Sequence, residues 1–138
     1  MASWDDVRAI ALALPDTSEK PMHGQASWRV RDKLFVWERP LHKSDLRVLG
    51  DAAPAPGPIL GARVEHVLAR EVLIESDPET FFTIPHFDGY AAVLALLDVI
   101  TVPDLEELIT EAWLCRAPPK LAQHYIDTRL RPDPARQE

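Results

Sequence analysis

Cysteine is nearly absent from this chain, which excludes a fold held together by disulfides. Cys115 is the only cysteine among 138 residues, so the chain can form neither an internal disulfide nor a zinc cluster of several cysteines. A reducing compartment is the simplest interpretation, and we expect a cytoplasmic protein. We expect no secretion signal, because Asp5 and Asp6 stand where a signal peptide would carry lysine or arginine.

Long apolar runs and glycine motifs are also missing. The longest apolar run, residues 90–97, ends at Asp98 and is far shorter than the roughly 20 residues that cross a bilayer. We therefore expect no transmembrane segment and no membrane partner. The five glycines form neither a GxGxxG nor a Walker pattern, so the sequence does not predict a standard nucleotide-binding loop.

What remains is the composition of an ordinary globular domain. Hydrophobic residues make up 46% of the chain and charged residues 27%, well away from the composition of disordered proteins. The length of 138 residues suits one hydrophobic core rather than two. We expect a single domain over residues 1–130 and a frayed C-terminal tail over residues 131–138.

Changes in hydrophobic period predict both helices and strands in the first half of the chain. Ser3 and Asp6 form a capping-box pattern before an amphipathic helix. Alternation over residues 26–30 and the apolar run 34–37 predict a β-hairpin. We expect an irregular connection around residues 21–24, a third strand at residues 46–49, and an exposed loop in the proline-rich stretch 51–58.

The second half of the chain carries signals for both helices and strands. Residues 62–67 favour a further strand and residues 69–75 a short helix. Residues 91–100 fit either a helix, which propensity favours, or a strand buried on both faces. Pro103 opens a strong amphipathic helix, and Pro118 and Pro119 begin another.

The histidines and the lone cysteine do not define a catalytic site. No two of the five histidines have metal-ligand spacing, so we predict no metal site and no cofactor. His86 and Asp88 fit a proton-transfer pair, but a polar turn is the preferred interpretation, with Asp88 capping backbone amides and Gly89 supplying an unusual φ. Cys115 is predicted to be an inert thiol. We therefore expect a protein that is not an enzyme.

Charge is distributed unevenly along the chain. The net charge is −7, which opposes non-specific attraction to nucleic acid or anionic lipid. Residues 29–47, however, carry six basic and three acidic side chains. Trp28 and Trp37 lie in or beside this segment, and mixed aromatic and basic groups are typical of nucleic-acid surfaces, although alternating tryptophans are more often core. The predicted binding face for an anionic partner consists of Arg29, Arg31, Lys33 and Arg47.

Three blocks of sequence resemble the MmcQ/YjbR family of small bacterial proteins. They are HGQASWRVRDKLFVW at residues 23–37, DPETFFTIPHFDGYAAVLALLD at residues 77–98, and LEELITEAWLCRAPPKLAQHY at residues 105–125. The middle block is the most specific, because Phe81-Phe82 is followed by Pro85-His86 and Gly89-Tyr90. The resemblance covers most of residues 3–125, and residues 51–58 look like an insertion.

This resemblance implies an α+β fold of two layers, with an antiparallel sheet packed by helices on one face in the so-called double-wing arrangement. It makes residues 91–98 a strand instead of a helix. Family members are commonly labelled DNA-binding, a label that rests on fold analogy. The resemblance supplies no catalytic residues.

Two functional hypotheses follow. In the first, the protein binds an anionic partner, with nucleic acid as one candidate, through the cationic residues named above. The alternative is a module that binds a small molecule or a protein at the turn of residues 81–90, using His86, Asp88 and Tyr90. Neither hypothesis specifies an oligomeric state.

Overall fold

An antiparallel sheet flanked by helices organises the molecule. The structure, a computed structural model, describes residues 1–130, and the predicted frayed tail at residues 131–138 lies outside the described residues. The strands are β1 (Thr17–Met22), β2 (Gln25–Val30), β3 (Lys33–Glu38), β4 (Ile59–Arg63), β5 (Phe81–Phe82) and β6 (Ala92–Leu96). The α-helices are α1 (Trp4–Leu12), α2 (Lys43–Leu49), α3 (Val67–Ser76), α4 (Val102–Arg116) and α5 (Pro119–Leu130). Two short 3-10 helices span Gly50–Ala52 and Pro85–Phe87.

All neighbouring strands of the sheet run antiparallel. The strand order is β1-β2-β3-β4-β6-β5, so the first three strands form a meander and β6 lies between β4 and the short edge strand β5. β6 pairs with β4 along its whole length, from Ala92 opposite Arg63 to Leu96 opposite Ile59. This position makes β6 an inner strand.

The larger core covers one side of the sheet, which we call the first face, and α1 and α4 pack there. Trp28 of β2 stacks on Trp4 of α1, with ring centroids 6.3 Å apart. The buried Trp113 of α4 donates its indole N–H to the carbonyl of Pro15 at 3.0 Å. Trp28 donates to Glu19 at 2.9 Å. Both indoles are therefore buried with their polar atom satisfied.

The opposite side, which we call the second face, carries a smaller core centred on Trp37. Its buried members also include Ile84, Phe87 and Leu94. The indole of Trp37 lies flat against Gly61, its partner on β4, and a Cβ at Gly61 would lie 2.5 Å from the ring. Glycine at this position lets the ring approach the β4 backbone.

The predicted fold class is confirmed, and so are most of the predicted elements. Ser3 caps α1 in a reciprocal capping box with Asp6. The hairpin of β2 and β3 and the helices α3, α4 and α5 appear where periodicity and proline placed them. Residues 92–96 form a strand, as the family resemblance implied, because Val93 and Ala95 enter the first core while Ala92 and Leu94 enter the second. Burial on both faces removes the alternation that marks a strand, so the helix preference for this segment was wrong.

The third strand predicted at residues 46–49 is wrong, because these residues end α2. Asp45 accepts a hydrogen bond from the backbone N–H of His42 at 2.9 Å and so closes the first turn of this helix. Leu46 and Val48, whose alternation suggested a strand, are 45% and 65% exposed. The alternation of apolar and polar residues at positions 46–49 therefore does not correspond to a buried face of a strand.

Two further boundaries differ from the predictions. Residues 21–24, expected to be irregular, are the end of β1 and its turn into β2. β1 was missed because it is an edge strand whose residues are exposed or half-buried, so it shows no apolar alternation. β4 spans Ile59–Arg63 rather than residues 62–67. Among the described helices, none is both long enough and apolar enough to cross a lipid bilayer.

The contact between Gly61 and Trp37 predicts the effect of one added methyl group. Gly61→Ala should lower the free energy of unfolding by about 1–3 kcal/mol, because the indole must leave its position on β4. Chemical denaturation measures the change. In a Trp37→Leu background the same substitution should be nearly neutral. Equal losses in both backgrounds would show that the indole is not the cause.

Candidate functional site

A groove of about 600 Å³ lies on the second face beside the Trp37 core, a size typical of sites for small organic ligands. We call it the histidine groove. Its apolar and aromatic lining consists of Met22, Leu34, Trp37, Pro40, Phe87 and Tyr90. Its polar lining consists of His23, Gln25, Glu38, Arg39, His42 and His86. These residues come from three separate parts of the chain.

The first part is the tight turn between β1 and β2. His23 and Gly24 have φ values of 52° and 79°, and two consecutive positive φ values are typical of a two-residue hairpin turn. Met22 and Gln25 face each other across this turn, and both line the groove. The turn therefore brings the exposed His23 to the groove rim.

The second part is the connection from β3 to α2, which is held by a shielded ion pair. Arg39 donates to a carboxylate oxygen of Asp45 at 3.1 Å, and the two side chains are only 12% and 8% exposed. The same guanidinium donates to the carbonyl of Pro40 and lies 5.9 Å from the ring centre of Phe87. Because Asp45 also binds the N–H of His42, the ion pair positions His42 at the rim.

Burial acts to raise the pKa of Asp45, but its contacts with the His42 N–H and the Arg39 guanidinium outweigh burial. The pKa of Asp45 therefore lies below its ordinary value.

The third part is the turn after β5, which depends on a buried arginine. Arg70 of α3 is 4% exposed. One of its terminal nitrogens donates to the carbonyls of Phe87, Tyr90 and Ala92 at 3.0, 2.9 and 3.2 Å. Within the described residues no carboxylate pairs with Arg70, so these three dipoles replace the water around its charge. The guanidinium thus fixes the backbone of residues 87–92.

The aromatic rings of the groove contact one another. Phe87 and Tyr90 meet edge to face with centroids 5.5 Å apart, and Trp37 lies 6.3 Å from Phe87 and 6.4 Å from Tyr90. Arg63 also contacts Tyr90: its guanidinium lies 4.6 Å from the centre of the tyrosine ring and donates to the tyrosine hydroxyl at 3.2 Å. The rings therefore form one connected apolar surface.

Of the three site residues predicted in the turn of residues 81–90, two line the histidine groove and one, Asp88, does not. His86 and Tyr90 line the groove, and Gly89 has the expected positive φ, 75°. Asp88 is exposed, and over residues 1–130 its carboxylate neither accepts a hydrogen bond nor contacts His86 closely enough to form one. The backbone N–H of Asp88 instead closes the turn on the carbonyl of Pro85 at 3.0 Å.

The four predicted cationic residues do not converge on one surface. Arg29 lies opposite Leu34 on the second face, whereas Lys33 pairs with Val30, which enters the first core. Arg31 sits in the β2–β3 turn and pairs with Asp16 at 2.7 Å. Arg47 lies on α2 rather than on a strand.

Sequence reasoning missed His23, His42 and Arg70. His23 and His42 lie in turns, and no local pattern shows that these turns reach the same groove as His86. Arg70 did carry a signal, since it is a cation within the otherwise apolar start of α3, Val67–Ala69. In the part of the chain that the structure describes, no group of three or more histidine, cysteine or acidic side chains could hold a metal ion.

The sheet and its helices define an α+β protein of known architecture. The chain is similar to the crystal structure of the Deinococcus radiodurans protein DR2400, a DUF419 domain, with a TM-score of 0.59 and 17% identity over 98% of this chain and 85% of that chain. At this level of identity the likeness shows the fold alone.

The YjbR family model matches residues 12–115. Uncharacterised proteins of Mycobacterium bovis and Mycobacterium tuberculosis are 51% identical to the chain over 128 residues, which cover 91% of this chain and 97% of each relative. The chain belongs to the YjbR family, and the resemblance seen in the sequence is confirmed.

The carbonyl contacts of Arg70 predict a large effect of removing its charge. Arg70→Met keeps the volume of the side chain but removes the charged donor of three hydrogen bonds, although the carbonyls of Phe87 and Tyr90 keep the N–H groups of Tyr90 and Ala92. It should lower the free energy of unfolding by about 2 kcal/mol. Hydrogen exchange should accelerate at the amides of residues 87–92. Arg47→Met, an exposed control, should change stability by less than about 0.5 kcal/mol. Similar effects of both variants would contradict the assigned role of Arg70.

The lowered pKa of Asp45 predicts how stability depends on pH. Because the folded pKa is the lower one, the contribution of this carboxylate is complete above the unfolded value of about 3.9 and is lost as the pH falls through the folded pKa. Asp45→Asn should therefore lower stability by about 2 kcal/mol at neutral pH, and the difference from the unmodified protein should shrink under acid conditions. Denaturation curves across pH measure this, with the exposed Asp51→Asn as control. A difference independent of pH would refute the prediction.

Proposed function

We propose that the protein is a non-enzymatic binding module that holds a small planar ligand in the histidine groove. One observation carries the proposal. His23, His42 and His86 come from three separate parts of the sequence and line one groove, whose apolar residues include three aromatic ones. Concave apolar sites with a few polar groups at defined positions are the usual form of small-molecule sites.

The apolar lining favours a flat ligand. Trp37 and Phe87 are almost fully buried, so their positions are fixed by packing, while Tyr90 is 36% exposed and offers ring surface to a ligand. Aromatic rings bind other planar systems by offset stacking or edge contact. The groove therefore suits a ring system better than a flexible chain.

The polar rim favours a ligand with hydrogen-bonding edges and little net charge. A neutral imidazole offers both a donor and an acceptor, so three histidines can recognise either kind of group. The two charged side chains of the lining are already engaged: Arg39 pairs with Asp45, and Glu38 accepts from the N–H of Ala26 at 3.2 Å. Arg39 therefore directs no unpaired charge at the ligand, and Glu38, which forms no salt bridge within the described residues, disfavours an anionic ligand.

A catalytic function has less support from the same groups. Proton transfer by a histidine usually requires a second group that orients the imidazole, and in residues 1–130 no hydrogen bond connects His86 with Asp88. His42 lies 4.0 Å from Asp45, but that carboxylate already binds Arg39. Binding is therefore the preferred proposal.

A nucleic-acid partner also has less support. Arg31 pairs with Asp16 at 2.7 Å, and Lys20 pairs with Asp32 at 2.6 Å. Arg39 is neutralised by Asp45. Local pairing thus offsets the charge of two of the six cations of residues 29–47, Arg31 and Arg39, and the net charge of −7 opposes a phosphate backbone.

A fragment screen tests the proposed function. We expect mono- and bicyclic heteroaromatic fragments to raise Tm and to shift the indole N–H resonance of Trp37, which reports on the groove. His86→Ala should weaken the best fragment about tenfold by removing a polar rim contact. His124→Ala on α5 changes an exposed histidine away from the groove, and should leave Kd unchanged.

Three results would contradict this function. One is the absence of any fragment that shifts the Trp37 resonance. Another is equal weakening by the two histidine substitutions. A third is salt-dependent binding of a single-stranded oligonucleotide with higher affinity than every fragment, which would favour the nucleic-acid hypothesis.

A further inference from the structure

A second groove, of about 870 Å³, runs between α3 and α4. We call it the helix groove. Its apolar floor includes Val64, Val72, Leu73, Phe81, Leu108 and Leu114. Phe81 and Leu108 belong to the first core, so this groove lies on the opposite side of the sheet from the Trp37 core. Its lining shares no residue with the histidine groove, so an inference about it does not rest on the function proposed above.

Part of this floor remains open to solvent. Val72 is 65% exposed, and Leu73 and Leu114 are only partly buried. Two helices thus present neighbouring apolar side chains without covering each other completely. An exposed apolar surface of this kind, bordered by polar residues, is typical of an interaction site.

The rim of the helix groove is strongly acidic. It contains five carboxylates and one cation, Arg63, and Arg63 is engaged by Tyr90 and the carbonyl of Ala91. Within residues 1–130, none of the five carboxylates forms a salt bridge or accepts a side-chain hydrogen bond. They are Glu65, Asp77, Asp104, Glu107 and Glu111.

The carboxylates of the rim also influence the thiol of Cys115, which lines the groove. The pKa of the Cys115 thiol is raised, first by burial and then by the nearby charges of Glu111 and Glu65. Unpaired carboxylates from two different parts of the rim therefore both raise the pKa of this one thiol.

We infer that the helix groove docks a basic amphipathic helix of a partner protein. Such a helix carries apolar residues along one stripe and cations beside it, which matches an apolar floor with an acidic rim. The ten residues of α3 give a wall about 15 Å long, enough for nearly three helical turns. A divalent cation is a poorer occupant, because no three carboxylates in the described part of the chain lie close enough together to hold one.

A designed peptide serves as the probe because the natural partner is unidentified. The probe is a fluorescent leucine–lysine peptide with amphipathic helical spacing, measured by anisotropy at low ionic strength. It should bind, whereas a leucine–glutamate peptide of the same pattern and a shuffled leucine–lysine peptide should bind at least about tenfold more weakly.

Two comparisons, each of a groove variant with a control variant, locate the binding site. The first reverses charges. Glu107→Lys with Glu111→Lys should weaken the peptide about tenfold or more. Glu71→Lys on α3 with Glu106→Lys on α4 makes the same total charge change at exposed positions outside the groove lining, and should retain most of the affinity.

The second comparison tests the apolar contact between the peptide and the groove. Val72→Gln should weaken binding, while Leu68→Gln, which is 71% exposed and outside the groove lining, should not.

The contrary outcomes are equally clear. Equal effects of the two charge-reversal pairs would show attraction to the overall negative charge instead of docking in the groove. Equal binding of the shuffled peptide would exclude recognition of an amphipathic helix, and failure of the amphipathic leucine–lysine peptide to bind would overturn the inference. Circular dichroism of each variant verifies that the fold is retained, which the exposure of the substituted positions leads us to expect.

Discussion

The histidine groove depends on the hydrogen bonds of the buried guanidinium of Arg70. Three backbone carbonyls, of Phe87, Tyr90 and Ala92, converge on one nitrogen of this side chain. A buried charge without partners would be unfavourable, and the three carbonyls offset part of that cost, while the Nε of Arg70 has no partner within the described residues. The connection leading into β6 is therefore fixed by α3, and the aromatic residues of the groove acquire their positions from the first helix that follows β4.

The inner position of β6 separates the molecule into two sides with different surfaces. Val93 and Ala95 face the first core, and Ala92 and Leu94 face the second. Each core borders one groove: an aromatic groove with histidines on the second face, and an acidic groove between helices on the first. A ligand in either groove would contact its own set of side chains, so the two proposed sites can be tested separately.

Much of the fold could be predicted because its signals are local. The capping box of Ser3 and Asp6, the β2–β3 hairpin and the amphipathic α4 all follow from neighbouring residues. The candidate site could be predicted only in part. His86 and Tyr90 stood in a distinctive segment, whereas His23 and His42 lie in turns and reach the groove through a hairpin and an ion pair. The cations of residues 29–47 showed the opposite problem, because a local charge excess gave no information about which cations form ion pairs or which face of the sheet each one enters.

The sequence by itself determined the class of fold and the family, since helix caps, hairpin alternation and the Phe81–Tyr90 segment depend on residues close together in the chain. Only the tertiary structure decided that β1 is a strand, that residues 46–49 form a helix, and which histidines line the same groove. These features depend on which face of the sheet a residue enters and on partners far away in sequence, such as Arg70 and the carbonyl of Ala92. Cysteine scarcity limited the covalent chemistry of the chain, but the position of Cys115 beside an acidic groove came from the packing of α3 against the sheet near α4.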